Sequence, residues 1–386
     1  MATGAAGGRR VGGLSRAYEM RVGLDGRALQ GRRTGVGRYV FEICRELDTL
    51  IPEAEFFVYA PEPVELPVTS GRWRCRVEPR RWARGLKPIA WLKLRAGRLC
   101  REDRLDVFWA SATLLPPLPA EVRRLTTVYD LTFRIAPETM GSTHLMAHRM
   151  FFGPDVRRAD QRLAISHGTA VRLQAWLGGP LAAVAPPAVS SVFRPRGPEA
   201  VKGTLKSFGI SQPYFLAVGT WEPRKNLELL IRVFRTMQSE GELGGYRLVL
   251  AGGAGWKDER LRAVLRTALG SAGDPGSVMP LGFVGDDQLA TLYSGCHAFV
   301  FPSRYEGFGL PVLEARACGA TVLASDIPEI REAGGEDAIY VPPTAEGLRK
   351  GLRCVIARSR SPALAPGLLP TWQGSAAIVA SYLRGI

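Results

Sequence analysis

No stretch of this 386-residue chain approaches the roughly 20 consecutive apolar residues that a membrane-spanning helix requires, so a helical span is excluded. Residues 1–19 are rich in Gly, Ala and Arg and include Arg9-Arg10. They lack the apolar stretch of a secretory or twin-arginine signal and read as a disordered extension. Met20 directly precedes the first strand-like run and offers a second place, besides Met1, for translation to begin. The six cysteines (Cys44, Cys75, Cys100, Cys296, Cys318, Cys354) form no C-x-x-C pair and have no histidine clusters near them. This pattern predicts buried thiols in a reducing cytoplasm, without disulfides or a zinc site. There is no zinc-finger spacing, no RNA-recognition aromatic signature and no basic region feeding a heptad repeat, which counts against nucleic acid. Internal repeats of short period are absent too.

What is present begins with charge. A formal net charge of +15 calls for an anionic partner: nucleic acid, a phospholipid surface or a phosphorylated small molecule. With 46% hydrophobic and 23% charged residues the chain is of ordinary globular composition, and its length suits two domains.

Short β-rich runs alternate with helix-periodic stretches, the pattern of parallel sheets covered by helices. The first series is Arg21–Asp25, Glu55–Tyr59, Val107–Trp109, Thr126–Tyr129 and Arg162–Ile165. The second is Tyr214–Val218, Tyr246–Ala251, Ala298–Phe301, Thr321–Ala324 and Ile339–Val341. Between them both patterns lapse in a segment holding Pro186, Pro187, Pro195 and Pro198, the expected hinge. Leu227, Leu230, Ile231, Phe234 and Met237 recur at helical spacing and predict one sheet-facing stripe. The expectation is an α/β chain of two doubly wound, Rossmann-like domains, residues 20–190 and 191–370. Residues 371–386 are expected to form a C-terminal helix packing back on the first domain. Such sheets bind ligands beyond their carboxyl ends, so chemistry belongs in the loops after strands.

Three such loops stand out. Gly31-Arg32-Arg33-Thr34-Gly35-Val36-Gly37 lies between the first strand and a helix carrying Val40, Ile43, Cys44 and Leu47. Its glycines admit close approach of a ligand and its free N–H groups favour an anion, although a plain glycine-rich turn uses the same residues. It matches neither G-x-G-x-x-G nor the P-loop. The second, Val218 to Asn226, places Arg224 and Lys225 at a helix start, where the dipole is also positive. A diphosphate would relieve that conflict, with Arg224 as a planar fork and Lys225 as a point charge; a solvated basic turn is the bland alternative. The third runs from Arg304 through Glu306-Gly307-Phe308-Gly309-Leu310-Pro311 to Glu314. Pro311 suits a first helical turn, leaving Glu306 in the loop and Glu314 inside the helix. Paired carboxylates around a Gly loop can read sugar and ribose hydroxyls, or can be merely a solvated loop acid and an acid near a helix start.

The run E-G-F-G-L-P-V-L-E resembles the E-x7-E motif of family 4 glycosyltransferases, the retaining GT-B group that includes mannosyltransferases of surface-polysaccharide and lipopolysaccharide assembly. Other segments agree in order: G-L-D-G-R-A-L-Q-G-R-R-T-G-V-G-R-Y, A-I-S-H-G-T-A, V-G-T-W-E-P-R-K-N-L and L-G-F-V-G-D-D-Q-L-A-T-L-Y. The likeness spans nearly the whole chain from Met20. It implies that Arg224 and Lys225 hold a donor diphosphate and that Glu314 takes the ribose hydroxyls. Glu306, with Gly307, Phe308 and Gly309, would contact the transferred sugar. Gly282, Phe283 and Val284 would line the base pocket, and Gly35, Val36 and Gly37 would close over the phosphates from the opposite domain. Ser166 matches the family's serine before the hinge without an assigned role.

This sequence departs from the family where Tyr129-Asp130 replaces His-Asp beside the donor sugar; a tyrosine donates a hydrogen bond there but carries no imidazolium charge. Thr220 stands where some relatives have arginine. The implied reaction has no protein nucleophile, so its central demand is stabilising the leaving diphosphate. No metal and no cofactor is expected beyond the nucleotide-sugar donor, for which the resemblance points to GDP-mannose, with a saccharide or lipid-linked saccharide as acceptor. A nucleotide-sugar epimerase or hydrolase on the same fold, or a non-catalytic nucleotide-sugar-binding protein, is the competing reading. The intact E-x7-E run and the Arg-Lys pair favour transfer.

Residues 72–104 interleave Arg and Lys with Trp73, Trp82 and Trp91 and with Ile89, Leu92, Leu94 and Leu99. That composition suits a cytoplasmic protein lying peripherally on anionic lipid; it equally suits apolar residues packed on the first sheet beneath solvated charges.

Overall fold

The structure is a computed structural model, and it describes residues 19–31, 35–211, 213–253, 255, 258–268, 276–358 and 369–385. Apolar runs buried on both faces become central strands. Every residue of Ala54–Ala60 and of Ala298–Phe301 is buried, as parallel strands between two helix layers require. β1 (Met20–Asp25), β2 (Ala54–Ala60), β3 (Trp73–Val77), β4 (Val107–Ala110), β5 (Arg123–Val128), β6 (Gln161–Ala164) and β7 (Ala183–Val184) form one parallel sheet in the order β3-β2-β1-β4-β5-β6-β7. β8 (Tyr214–Val218), β9 (Arg247–Ala251), β10 (Val278–Gly282), β11 (Ala298–Phe301), β12 (Val322–Ser325) and β13 (Ile339–Val341) form the second, in the order β10-β9-β8-β11-β12-β13. The strand order reverses between β1 and β4 in the first sheet and between β8 and β11 in the second. Both sheets are doubly wound, as the alternation of runs predicts.

All ten expected runs are strands, and three strands escaped prediction. β3 and β10 are edge strands, where one side faces solvent and selection for apolar residues relaxes. β3 reads Trp-Arg-Cys-Arg-Val, and β10 carries Pro280 beside a register shift, a place where proline is tolerated. β7 is only two residues long.

Residues 72–104 do not form one continuous helix. Trp73 lies in β3 with its ring stacked 4.0 Å from that of Phe56. Trp91, Leu92 and Leu99 sit in a helical run from Pro88 to Glu102 and are buried in the core. Several cations are internal structural groups: Arg95 pairs with the fully buried Glu78, and Arg72 donates to the carbonyls of Ile51 and Ala54. Of the segment's large apolar residues, Trp82 (63% exposed) and Leu94 (70%) remain at the surface. Among the described residues no helix is long and apolar enough to cross a membrane.

The helix Gly35–Leu50 buries Tyr39, Val40, Ile43, Cys44 and Leu47. The helix Trp372–Arg384, capped by the Thr371 hydroxyl, lies against it and buries Ala376, Val379, Ala380 and Leu383. Arg384 pairs with Glu53 at 2.7 Å, Arg123 donates to the Leu383 carbonyl, and Ser375 donates to the carbonyl of Pro186. The chain's last helix therefore belongs to the core of the first domain. Each fully buried aliphatic side chain there contributes about 1.5–3 kcal/mol. The six cysteines form no disulfide with one another, and four of them are buried.

Candidate active site

Beyond the carboxyl end of β8 the chain makes a short turn, Pro223–Lys225, ended by Asn226 in the left-handed region (φ 57°). The Asn226 amide donates to the Pro302 carbonyl just past β11, and this bond fixes the turn beside the Glu306 loop. Lys225 Nζ then donates to Glu306 Oε1 at 2.8 Å and lies 5.0 Å from the centroid of the Phe301 ring. Arg224 Nη1 donates to Glu306 Oε2, and Nη2 reaches Glu222 Oε1 at 2.6 Å. Burial by itself would raise the Glu306 acid, yet Arg224 and Lys225 hold it at about 2. Burial likewise opposes the Arg224 charge, and Glu306 and Glu222 more than offset it.

This corrects one expectation. The crowding of two cations at a helix start needs no ligand to relieve it, because two carboxylates already do so. Glu222 was not anticipated, although it stands in the same loop; its Oε2 is buried and has no hydrogen-bond partner among the described residues. Arg224 and Lys225 thus carry an internal counter-ion in this structure.

The Gly307–Gly309 loop is held from the opposite domain. Ser166 Oγ donates to the Gly307 carbonyl at 2.7 Å and also caps the helix His167–Leu177, accepting from Thr169 N. Thr169 Oγ1 adds a second bond to Gly307 O at 3.2 Å. A Cβ on Gly307 would stand 2.1 Å from the Tyr129 carbonyl, so only glycine permits this approach. The Tyr305 hydroxyl accepts from Leu131 N at 2.8 Å, and Glu332 accepts from the N–H groups of His167 and Gly168 at 2.8 and 2.7 Å. A carboxylate at a helix N-terminus is favourably placed for the dipole. Ser166, unassigned from sequence, is thus a tie between domains.

Tyr129 meets the loop through its backbone. Its hydroxyl donates to the Ser111 carbonyl at 2.6 Å, and its ring lies edge-on to Tyr39, 5.5 Å between centroids. The phenol's proton is thus engaged inside its own domain, where burial pushes its acid well up.

Glu314 sits in the helix Leu310–Ala317, with Pro311 in its first turn as predicted. Its Oε2 accepts from the Tyr293 hydroxyl at 3.3 Å and its Oε1 from Arg38 Nη1 at 3.2 Å. Arg38 Nη2 also reaches Asp286 at 2.6 Å. Burial pushes the Glu314 acid up to about 7 even though the Arg38 charge opposes the shift. Gly35, Val36 and Gly37 form the first turn of the helix that presents Arg38, while Arg32, Arg33 and Thr34 lie outside the described residues. On the far side, Gly282 ends β10 with φ 70° and its carbonyl accepts from Gly252 N at 2.7 Å. Phe283 next to it is 72% exposed, and Val284 is buried. Among the described residues no group of three or more His, Cys, Asp or Glu is placed to hold a metal.

Two doubly wound domains meeting at their switch points, with a basic pair and two glutamates at the junction, form a GT-B fold, and the comparisons agree. WaaG, a glycosyltransferase involved in lipopolysaccharide biosynthesis, superimposes with a TM-score of 0.67 at 15% identity over 95% of this chain and all of that one. Sucrose-phosphate synthase from Thermosynechococcus elongatus does so with a TM-score of 0.65 at 19% identity over 94% of each chain. Residues 212–358 match the family described as glycosyl transferases group 1. In sequence the chain is similar to O-antigen chain mannosyltransferase B of Escherichia coli, 28% identical over 323 residues, 80% of this chain and 83% of that one. It is also similar to serotype-specific mannosyltransferase WbdA of Escherichia coli, 36% identical over 153 residues, 39% of this chain and 18% of that longer protein.

Proposed function

We propose that this glycosyltransferase moves a mannosyl residue from a nucleotide-diphosphate sugar, GDP-mannose first among them, to a saccharide or lipid-linked saccharide in cell-surface polysaccharide synthesis, with retention at the anomeric carbon. The observation carrying the reading is the Arg224–Lys225–Glu306 cluster, two cations held on one carboxylate at the β8/β11 switch point. In this reading the donor diphosphate takes over Arg224 and Lys225, and Glu306 accepts hydrogen bonds from the transferred sugar. Glu314 takes the ribose hydroxyls, and Gly282, Phe283 and Val284 border the base. The bond from the anomeric carbon to the diphosphate oxygen breaks, the acceptor oxygen bonds on the same face, and its proton passes to the leaving diphosphate. Fixed cations aimed at that leaving group stabilise the charge that develops there. Support for mannose and for the acceptor class comes from the mannosyltransferase relatives.

The test is incubation with a panel of nucleotide sugars and a mannose-terminated acceptor, the product's anomeric configuration being read by NMR. Transfer from GDP-mannose with retention is expected. Epimerised or hydrolysed donor without transfer, or nucleotide-sugar binding without turnover, would replace this reading.

A cytoplasmic-face location on anionic membrane belongs to the same proposal. Its support is now narrower: exposed Trp82 and Leu94 among Arg80, Arg81, Arg84 and Arg98. Co-sedimentation with phosphatidylglycerol vesicles at low salt should be lost in a Trp82→Ala/Leu94→Ala variant; no sedimentation of the wild type would remove the membrane from the account.

A further inference from the structure

Arg38 is the residue immediately after the Gly35–Gly37 turn, and its side chain crosses the cleft to the opposite domain. One guanidinium nitrogen is 3.2 Å from Glu314 Oε1 and another is 2.6 Å from Asp286 Oδ2. Tyr293 occupies the other Glu314 oxygen. A carboxylate offers about four lone-pair positions, so these two donors leave room for about two more hydrogen bonds. A ribose diol needs two. Arg38 and Tyr293 therefore brace the carboxylate without filling it, and only Tyr293 belongs to the same domain as Glu314.

We propose that Arg38 is a positioning residue of the donor site, holding the Glu314 carboxylate charged and aimed at the ribose hydroxyls only when the two domains are closed. The proposal rests on the assignment of Glu314 to the ribose. Its physical basis is the balance of charge around a buried acid. Arg38 comes from the helix Gly35–Leu50, and Asp286 and Tyr293 from the helix Asp286–Gly295; Cys318 lies at the end of the acid's own helix. Arg38 supplies the cation in that set, while Asp286 and burial oppose ionisation of Glu314. Without the guanidinium a larger fraction of Glu314 is protonated near neutral pH, and a neutral carboxyl is a poorer acceptor than a carboxylate. Closure of the cleft and affinity for the nucleoside are thereby coupled through one side chain.

The experiment is calorimetric titration of GDP and of 2′,3′-dideoxy-GDP into wild type, Arg38→Ala and Glu314→Gln, from about pH 6 to about pH 9. The ratio of the two affinities isolates the ribose hydroxyls and cancels the titration of the phosphates. In the wild type the ribonucleotide is expected to bind more tightly, and Glu314→Gln to abolish the difference. In Arg38→Ala the ratio should fall about tenfold near neutral pH and recover as the pH rises, its midpoint displaced upward from that of the wild type. An unchanged ratio and pH profile in Arg38→Ala, or equal weakening of both ligands at every pH, would overturn the role of Arg38 while leaving Glu314 assigned. Equal binding of both ligands by the wild type would remove the ribose assignment itself.

Discussion

Lys225 Nζ donates to Glu306 Oε1 at 2.8 Å, and Arg224 grips the other oxygen of the same carboxylate. Under the proposed function a ligand diphosphate and the Glu306 side chain are therefore rivals for one pair of cations. Glu306→Gln should remove the rival charge, so that GDP binds roughly tenfold tighter while transfer falls about a hundredfold. The substitution also leaves Lys225, which is only 9% exposed, short of an anion. Thermal stability should accordingly drop and be restored by GDP. Weaker GDP binding by the variant, measured by calorimetry, would refute the rivalry.

Lys225→Ala tests the other partner. It removes a charge that the proposed function aims at the leaving group and should lower kcat/KM by about a hundred- to a thousandfold, with a circular dichroism spectrum like that of the wild type. Near-normal turnover would show that the diphosphate is held elsewhere.

The two glutamates of one motif should act oppositely on stability as pH changes. Glu306 is held at about 2, below the ordinary 4.5, so its contribution is present above pH 4.5 and is lost as pH falls towards 2. Glu314 is pushed up to about 7, so stability falls as pH rises from 4.5 through 7. In urea unfolding as a function of pH, Glu314→Gln should flatten the decline on the neutral side and Glu306→Gln the loss on the acid side. The same profile in both variants would contradict the assignment of opposite environments.

Gly307→Ala places a methyl group 2.1 Å from where the Tyr129 carbonyl now lies, a contact that backbone must yield to. The expected result is a cleft that no longer closes: a larger radius of gyration by solution scattering and transfer reduced about a hundredfold, with GDP binding to the second domain largely kept. Ser166→Ala should act in the same direction more mildly, costing about 1 kcal/mol of stability through the lost cap and the lost bond to Gly307.

Local patterns carried a large part of this molecule. The β-rich runs from Arg21–Asp25 to Ile339–Val341 overlap ten strands, nine of them central, because a central parallel strand must be apolar on both faces. Glycine and proline spacing puts Glu306, Arg224 and Glu314 in loops and helix starts beyond those strands, since turn chemistry is a property of a few adjacent residues. Edge strands β3 and β10 escaped because one side of each answers to solvent. The basic, Trp-bearing segment left two readings open because composition cannot tell a cation over lipid from one such as Arg95, which closes on a buried glutamate inside the domain.

What no local pattern could disclose is which distant groups share a charge. Arg38 and Glu314 are 276 residues apart in the chain, and Ser166 and Gly307 are 141 apart. Their pairing depends on how the two sheets face one another, and that is set by packing across the cleft and by the last helix returning to the first domain. The residues proposed to grip an anion could thus be named from their order along the chain. The Glu306 counter-ion that occupies those residues beforehand follows from the folding of the second domain, and the guanidinium that reaches across to the second glutamate follows from the two domains facing one another, because Coulomb forces act through space and not along sequence.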